Sequence, residues 1–196
     1  MRRFSHYILE AFLIVFSVLF ALFIENYVAE HKRQKEKTIA LVKIRQEIER
    51  NSKILADWRP HHQKIHSLLR RSSLTGYDSL KTILSKYDYF NIGVLSSEPL
   101  ANAVLTTTAW ESARSTGIIS EFDFELVEEL TQLYSLQTTL MEGSFKGVVM
   151  FFFDRETHDP ANLNATLRQF ELRFKELTGQ ENFLADAYNR SLTKLY

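Results

Sequence analysis

Three histidines stand close together in this sequence, His61, His62 and His66. His62 and His66 are four apart, so on a helix their imidazoles share one face, the spacing at which two rings can grip one metal ion. No Glu accompanies them as in a His-Glu-x-x-His helix. A third ligand would have to come from His158, Asp154 or Asp159, far along the chain. The competing reading is a hydrogen-bonded histidine in a packed seam together with neighbours on a solvated face, and it is the commoner outcome. Catalytic signatures are scarcer still. There is no Gly-x-Ser-x-Gly elbow, phosphate loop or dinucleotide fingerprint, and Glu128-Glu129 has the look of a water-facing pair on an amphipathic helix. No catalytic residue, cofactor or enzymatic activity is expected.

The elements that would position these side chains begin in an apolar run, Tyr7 to Ile24, in which Glu10 is the one charged residue. At about 1.5 Å per residue the run covers roughly 27 Å, the hydrocarbon thickness of a bilayer. Arg2 and Arg3 precede it, Lys32 and Arg33 follow, and Tyr7 and Tyr27 occupy interfacial places. Glu10 within the run and the bulky Tyr27 at the nearest small-residue exit speak against a cleaved signal peptide. The expectation is an uncleaved single-pass anchor over 7–27 behind a basic tail at 1–6, with Arg2, Arg3, Glu10, Glu25, Tyr27, Lys32 and Arg33 at the membrane interface. An intramembrane carboxylate is costly and seeks a partner or water. Glu10 therefore pairs with His6 or Arg3, or meets a polar group on a second membrane helix, while Glu25 sits at the exit.

The 24 basic and 24 acidic residues of the 196 cancel. No nucleic-acid partner is expected, since the basic residues cluster only beside the apolar run, where anionic lipid accounts for them. Without any Cys there are no disulfides, thiolate zinc sites or thiol nucleophiles. Three Pro, six Gly and 15 Phe describe a helical protein with a core of its own.

No helix breaker occurs from Glu25 to Arg59, so the anchor is expected to continue as a rod over 28–72, kinked or restarted near Pro60. On it Leu41, Ile44, Ile48, Asn51, Leu55, Trp58, His62, Ile65 and Leu69 recur at strict 3-4 spacing. This seam packs on the chain's own later helices or on another copy; in the second case Asn51 would fix register. Residues 73–196 read as a helical bundle packed with the rod. Asp78 would cap a short helix, and a second would start at Pro99 and end at Gly117. A long third would run from Ser120 to the apolar stretch Val148–Phe153, read as buried. A fourth stops near Gly179, and a last one carries Phe183 and Tyr188. The fold class is thus all-α: a transmembrane helix continuing into a long rod, then a bundle.

Three groups of residues resemble a known family. The first is Glu10 opening the apolar run, with Ala21-Leu22 inside it and Ile24-Glu25-Asn26-Tyr27 closing it. The second is Glu47-Ile48 with Asn51, Leu55 and His62. The third is Thr108 to Gly117 with Tyr134 and Gln137 beyond. Together they look like domain-of-unknown-function family 6090, bacterial membrane proteins, with Tyr27 where that pattern has Trp. The resemblance spans most of residues 8–140 and implies a single-pass anchor and a helical domain, with no activity to carry over.

The function expected is a membrane-anchored helical interaction or scaffold module that binds protein partners or its own copies. The alternative is a sensory domain holding a small ligand between its helices. A recognition surface would use Asn51, Trp110, Glu111 and Arg114, although a local Glu111–Arg114 ion pair explains those two charges as well. The location expected is the bacterial inner membrane, with the side of the bundle undecided.

Overall fold

The computed structural model describes the backbone of residues 2–87 and 89–195, with their side chains apart from those of 2–9 and 11. The chain is helical, with no strand among the described residues. Helix α1 (Arg2–Ser73) is followed by α2 (Asp78–Leu84), α3 (Thr108–Ser115), α4 (Phe124–Thr138), α5 (Lys146–Phe153) and α6 (Leu163–Lys194), with short 3-10 turns between. A π-helical stretch, Thr139–Phe145, joins α4 to α5 without a break.

Helix α1 has three portions of different character. Its first part holds the one stretch among the described residues that is long and apolar enough to cross a membrane, with none of that window buried inside the protein. Next, no side chain from Glu25 to Glu36 is buried, and from Glu30 to Glu36 the helix is polar all round. Such a helix persists as a bridge through water when neighbouring turns pair, as Glu30 does with Gln34 and Arg33, and Lys32 with Glu36. From Ile44 onward the helix enters the bundle. There every seam residue from Ile44 to Leu69 is buried, and Leu41 half-buried. The seam packs on this chain's own helices, chiefly α6, which runs antiparallel to α1. The direction follows from cross-links, since Tyr77 bonds Glu171, His62 meets Glu181 and Arg59 reaches Asn182.

Pro60 does not restart the helix, which runs through it to Ser73. The carbonyl of Ala56 loses its in-helix donor there, but Ala56 and Pro60 both face water, which supplies one. Nor does Gly179 stop α6. The buried stripe Phe174, Leu177, Glu181, Leu184 and Tyr188 keeps its spacing across it, and burying that stripe outweighs the cost of about 1 kcal/mol for one helical Gly. Phe183, expected on the core face, is 70% exposed; Leu184 takes the inward place.

Three start signals are displaced: the long third helix begins at Phe124 after Asp123, while Ser120 lies in the 3-10 turn Ile118–Glu121. Asp78 is the first residue of α2 and pairs with Lys81, while left-handed Tyr77 (φ 63°) holds the cap position. Pro99 opens no helix. Residues 99–107 form an irregular strap, and the helix starts nine residues later, at Thr108. Gly117 does adopt the left-handed conformation (φ 75°) beyond α3.

The π stretch corrects a phase error. Leu140 is the last buried residue of the α4 stripe, and seven residues on, in phase on an α-helix, stands Gly147. The buried residue is Val148, one later. One extra residue in the π turn rotates α5 so that Val148, Phe151 and Phe152 face inward instead. The apolar run is therefore buried only in part, with Met150 and Phe153 pointing out.

Candidate functional site

Buried polar residues in and beside the α1 seam define the site. Glu47, Asn51 and His62 are buried on a face otherwise made of Ile, Leu and Trp, and a buried polar group needs partners. Each finds one in the segment that crosses α1, the strap and the first turn of α3.

Glu47 is 5% exposed. One carboxylate oxygen accepts from the Ala109 amide at 2.9 Å and the Thr106 hydroxyl at 3.1 Å. The other accepts from the Tyr134 hydroxyl at 2.8 Å and, more loosely, the Trp110 amide at 3.4 Å. Ala109 and Trp110 are in the first turn of α3, whose own Thr107 makes no side-chain cap. The helix is capped in trans by a carboxylate from α1, which also meets the positive end of its dipole. Trp110 stacks on Tyr134 with centroids 5.4 Å apart and planes 2° from parallel, closing this end from water.

One turn further, Asn51 binds both backbone groups of Thr106. Its Oδ1 accepts from the Thr106 amide at 3.0 Å, and its Nδ2 donates to the Thr106 carbonyl at 2.7 Å. Nδ2 also donates to Gln137 Oε1, which accepts from the Tyr188 hydroxyl at 2.6 Å, while Gln137 Nε2 donates to the Thr106 carbonyl. The amide of Asn51 thus takes the place a neighbouring strand would occupy. Burial, Glu47's negative charge and the hydrogen bond to Glu47 push the Tyr134 phenol far above its ordinary value. Burial and Glu47's charge do the same to Tyr188, against a lowering contribution from Asn51. Both phenols stay protonated and act as donors, not as bases.

Higher on α1, the Trp58 indole donates to Asn102 Oδ1 at 3.1 Å. His62 Nε2 lies 2.7 Å from the Leu100 carbonyl, which can only accept, so that nitrogen carries a hydrogen. Its Nδ1 lies 2.5 Å from Glu181 Oε1 with one proton between them, both groups fully buried.

This arrangement places two sets of candidate residues. The metal candidates do not meet: no group of three metal-ligating side chains forms among the described residues. Both nitrogens of His62 are engaged. His158 accepts from the Phe90 amide and donates to the Phe152 carbonyl. His66 lies half-buried a turn above His62, where burial and nearby Arg70 hold its pKa below the ordinary value. In the recognition surface, Asn51 and Trp110 are buried inside the chain and unavailable to a partner. Glu111 and Arg114 remain exposed, paired with each other at 3.4 Å.

Of the residues expected at a membrane interface, Glu10, Glu25, Tyr27, Lys32 and Arg33 are exposed along α1. The Tyr27 ring contacts His31 at 4.2 Å. The side chains of Arg2 and Arg3 lie outside the described residues.

Glu181 and Thr106 carry no sequence signal. Glu181 reads as a solvated helix charge, and its one mark is that it falls on the apolar stripe between Leu177 and Leu184. A scan against protein-family models, and searches of curated proteins and solved structures, found no match to this chain.

Proposed function

We propose that this chain is a bacterial inner-membrane protein of the domain-of-unknown-function 6090 type, anchored by one span. Its helical bundle serves as a non-catalytic interaction module for protein partners or further copies of itself. The observation that carries the reading is the change of environment along one unbroken helix, apolar and uncovered at one end and with its seam face buried in the bundle at the other. A rigid connection of this kind holds a folded body at a set distance from a bilayer. The polar portion from Glu30 to Glu36 corresponds to about 10 Å of helix, more than the headgroup layer on one side occupies. Support for the family comes from Glu47, Asn51, His62, Trp110, Tyr134 and Gln137. These residues carry much of the resemblance, and they take part in the hydrogen bonds and ring stacking that join α1 to the strap, α3, α4 and α6.

The exposed residues left to contact a partner include Glu111, Arg114 and Phe183. Photo-crosslinkers at Arg114 and Phe183 in the full chain, followed by capture in mild detergent, test the reading. Discrete crosslinked species support it; a chain that stays uncrosslinked at both positions in cells contradicts it. A reporter fused after Tyr196 decides the side of the membrane.

One observation favours the sensory reading as second choice. A cleft of about 600 Å³ lies between α1 and α3, floored by Ile39, Ala40 and Ala113 and flanked by Lys43 and Arg50. A volume of that size suits a small molecule. Thermal stabilisation of the full chain by a metabolite, abolished by Ile39→Trp, would favour that reading over the first.

A further inference from the structure

The cleft between α1 and α3 has a direction. Thr106 is bonded to Asn51, and Ala109, further along the chain, to Glu47, one turn lower on α1. Helix α3 therefore descends α1 towards its apolar end. Arg50 and Thr108 bound the upper end of the cleft, and Ile39, Ala40, Ala113 and Ile118 the lower end, with Lys43 and Gln46 on the wall between.

Charge is divided in the same way. Lys43, Gln46 and Arg50 stand at 3-4 spacing on one face of α1, all three exposed. Among the described residues, none of the three forms a hydrogen bond or ion pair through its side chain. The two carboxylates of the lining are already matched. Glu47 is buried under donors from Ala109, Thr106 and Tyr134, and Glu36 lies 3.9 Å from Lys32. Lys43 and Arg50 are two turns apart, about 10 Å, so their long side chains can meet one anion placed over Gln46. Arginine offers such an anion a planar fork suited to a carboxylate or phosphate, and lysine a point charge. The floor below takes whatever apolar body is attached. The wall from Arg50 down to Ile39 is about 16 Å long, and the cleft's volume of about 600 Å³ suits a molecule rather than a bare ion.

We propose that this cleft binds a water-soluble amphiphilic anion, a carboxylate or phosphate monoester on an extended apolar body. Its head sits at Lys43 and Arg50, and its body lies over Ile39, Ala40 and Ala113. The inference rests on the reading of the cleft as a ligand site and names the chemistry of the ligand. A phospholipid headgroup has the same chemistry, but position favours a free molecule. Ile39 stands twelve residues beyond Tyr27, about 18 Å along α1, whereas one headgroup layer is roughly 5–7 Å deep. A lipid whose tails stay in the bilayer does not reach Arg50.

The test is calorimetry on the full chain in phosphatidylcholine nanodiscs, with empty nanodiscs subtracted. Octanoate and octyl phosphate should each bind at least about tenfold more tightly than octanol or octylamine, because only the anions gain charge-assisted bonds. Inorganic phosphate, without an apolar body, should bind at least about tenfold more weakly than octyl phosphate. Lys43→Ala and Arg50→Ala should each weaken octanoate by about fivefold or more while leaving the melting curve unchanged, since both side chains are exposed. Lys43→Glu combined with Arg50→Glu should transfer the preference to octylamine, and Ile39→Trp should abolish binding of every probe. A chain that binds neither anion, or whose double Glu variant still prefers octanoate, overturns the proposal. Octanol bound as tightly as octanoate, and lost with Ile39→Trp, overturns the anion while the ligand site stands. At about 0.15 M salt the field of an anionic bilayer fades within about 8 Å, so phosphatidylglycerol in the nanodiscs should leave octanoate affinity within about twofold. Displacement of octanoate in proportion to that lipid would make the headgroup the occupant and overturn the free anion.

Discussion

Removing the Glu47 carboxylate should be among the most damaging single changes in the bundle, and the structure allows its size to be worked out. Glu47→Ala leaves the Ala109 amide, the Tyr134 hydroxyl and the Thr106 hydroxyl without the acceptor they now have at 2.8–3.1 Å. Hydrogen bonds to a charged group contribute about 1.5–3 kcal/mol each, and entering water recovers part of the loss. Breaking a buried charged network typically costs about 3–5 kcal/mol, and that is the expected loss here. For a bundle of this size it lowers Tm by about 6–20 °C. Glu47→Gln is the sharper test. Both carboxylate oxygens only accept, so the new NH₂ must face donors on one side or the other, costing about 2 kcal/mol despite equal volume. Urea unfolding of the full chain in detergent measures both, by circular dichroism and by fluorescence, since Trp110 stacks within the same cluster. Glu111→Ala, on an exposed ion pair, is the control, with an effect within about 0.5 kcal/mol. A Gln variant as stable as wild type would refute the trans cap.

Other expectations follow from single features. Gly179→Ala should stabilise the chain by about 0.5–1 kcal/mol, because the helix is continuous there and an added Cβ meets nothing within 4 Å; destabilisation on melting would contradict the unbroken α6. Deleting Gly143 should convert the π stretch to α while keeping Val148, Phe151 and Phe152 inward, with a far smaller loss on denaturation than deleting Gln132, which shifts everything after it by one position. Burial, with the charge of His62 for His61 and of Arg70 for His66, holds both imidazoles below their ordinary pKa. The unfolded chain then binds protons more readily, so stability should fall as pH drops below about 6.5, and His61→Gln with His66→Gln should flatten that slope. Burial raises the Glu171 carboxyl, but hydrogen bonds from Tyr77 and Arg168 outweigh it and hold the group below the usual range. Its contribution is present above the unfolded carboxylate pKa and should vanish as acid protonates the folded group, seen as convergence of wild type with Glu171→Gln.

Where a stretch is periodic, the sequence reads true. The seam from Ile44 to Leu69 recurs at 3-4 spacing, and the structure buries all of it, because a helix face that apolar has to be covered. The apolar run before it, and the absence of strands among the described residues, were legible in the same way. The strap was not. Pro99 and the residues after it look like a helix start by local rules, but the backbone of Thr106 is satisfied by Asn51, 55 residues away, and no local propensity registers a partner so distant. Gly179 misleads for a related reason, since tertiary burial on both sides overrides one residue's preference. At the candidate site the polar interruptions in the seam stood out, and Asn51 and His62 could be picked from the pattern. Their roles could not be. His62 has metal-ligand spacing to His66, and only the fold shows both its nitrogens taken, by Glu181 and Leu100. Trp110 was grouped with exposed charges because sequence does not reveal that Tyr134 covers it.

Flotation of the full chain with membranes through a density gradient after an alkaline wash tests the central claim most directly. An anchored chain travels with the lipid, and replacing Leu13, Phe16 and Leu19 by Lys should leave it at the bottom of the gradient with its bundle still helical. A wild-type chain released by the wash would contradict the account.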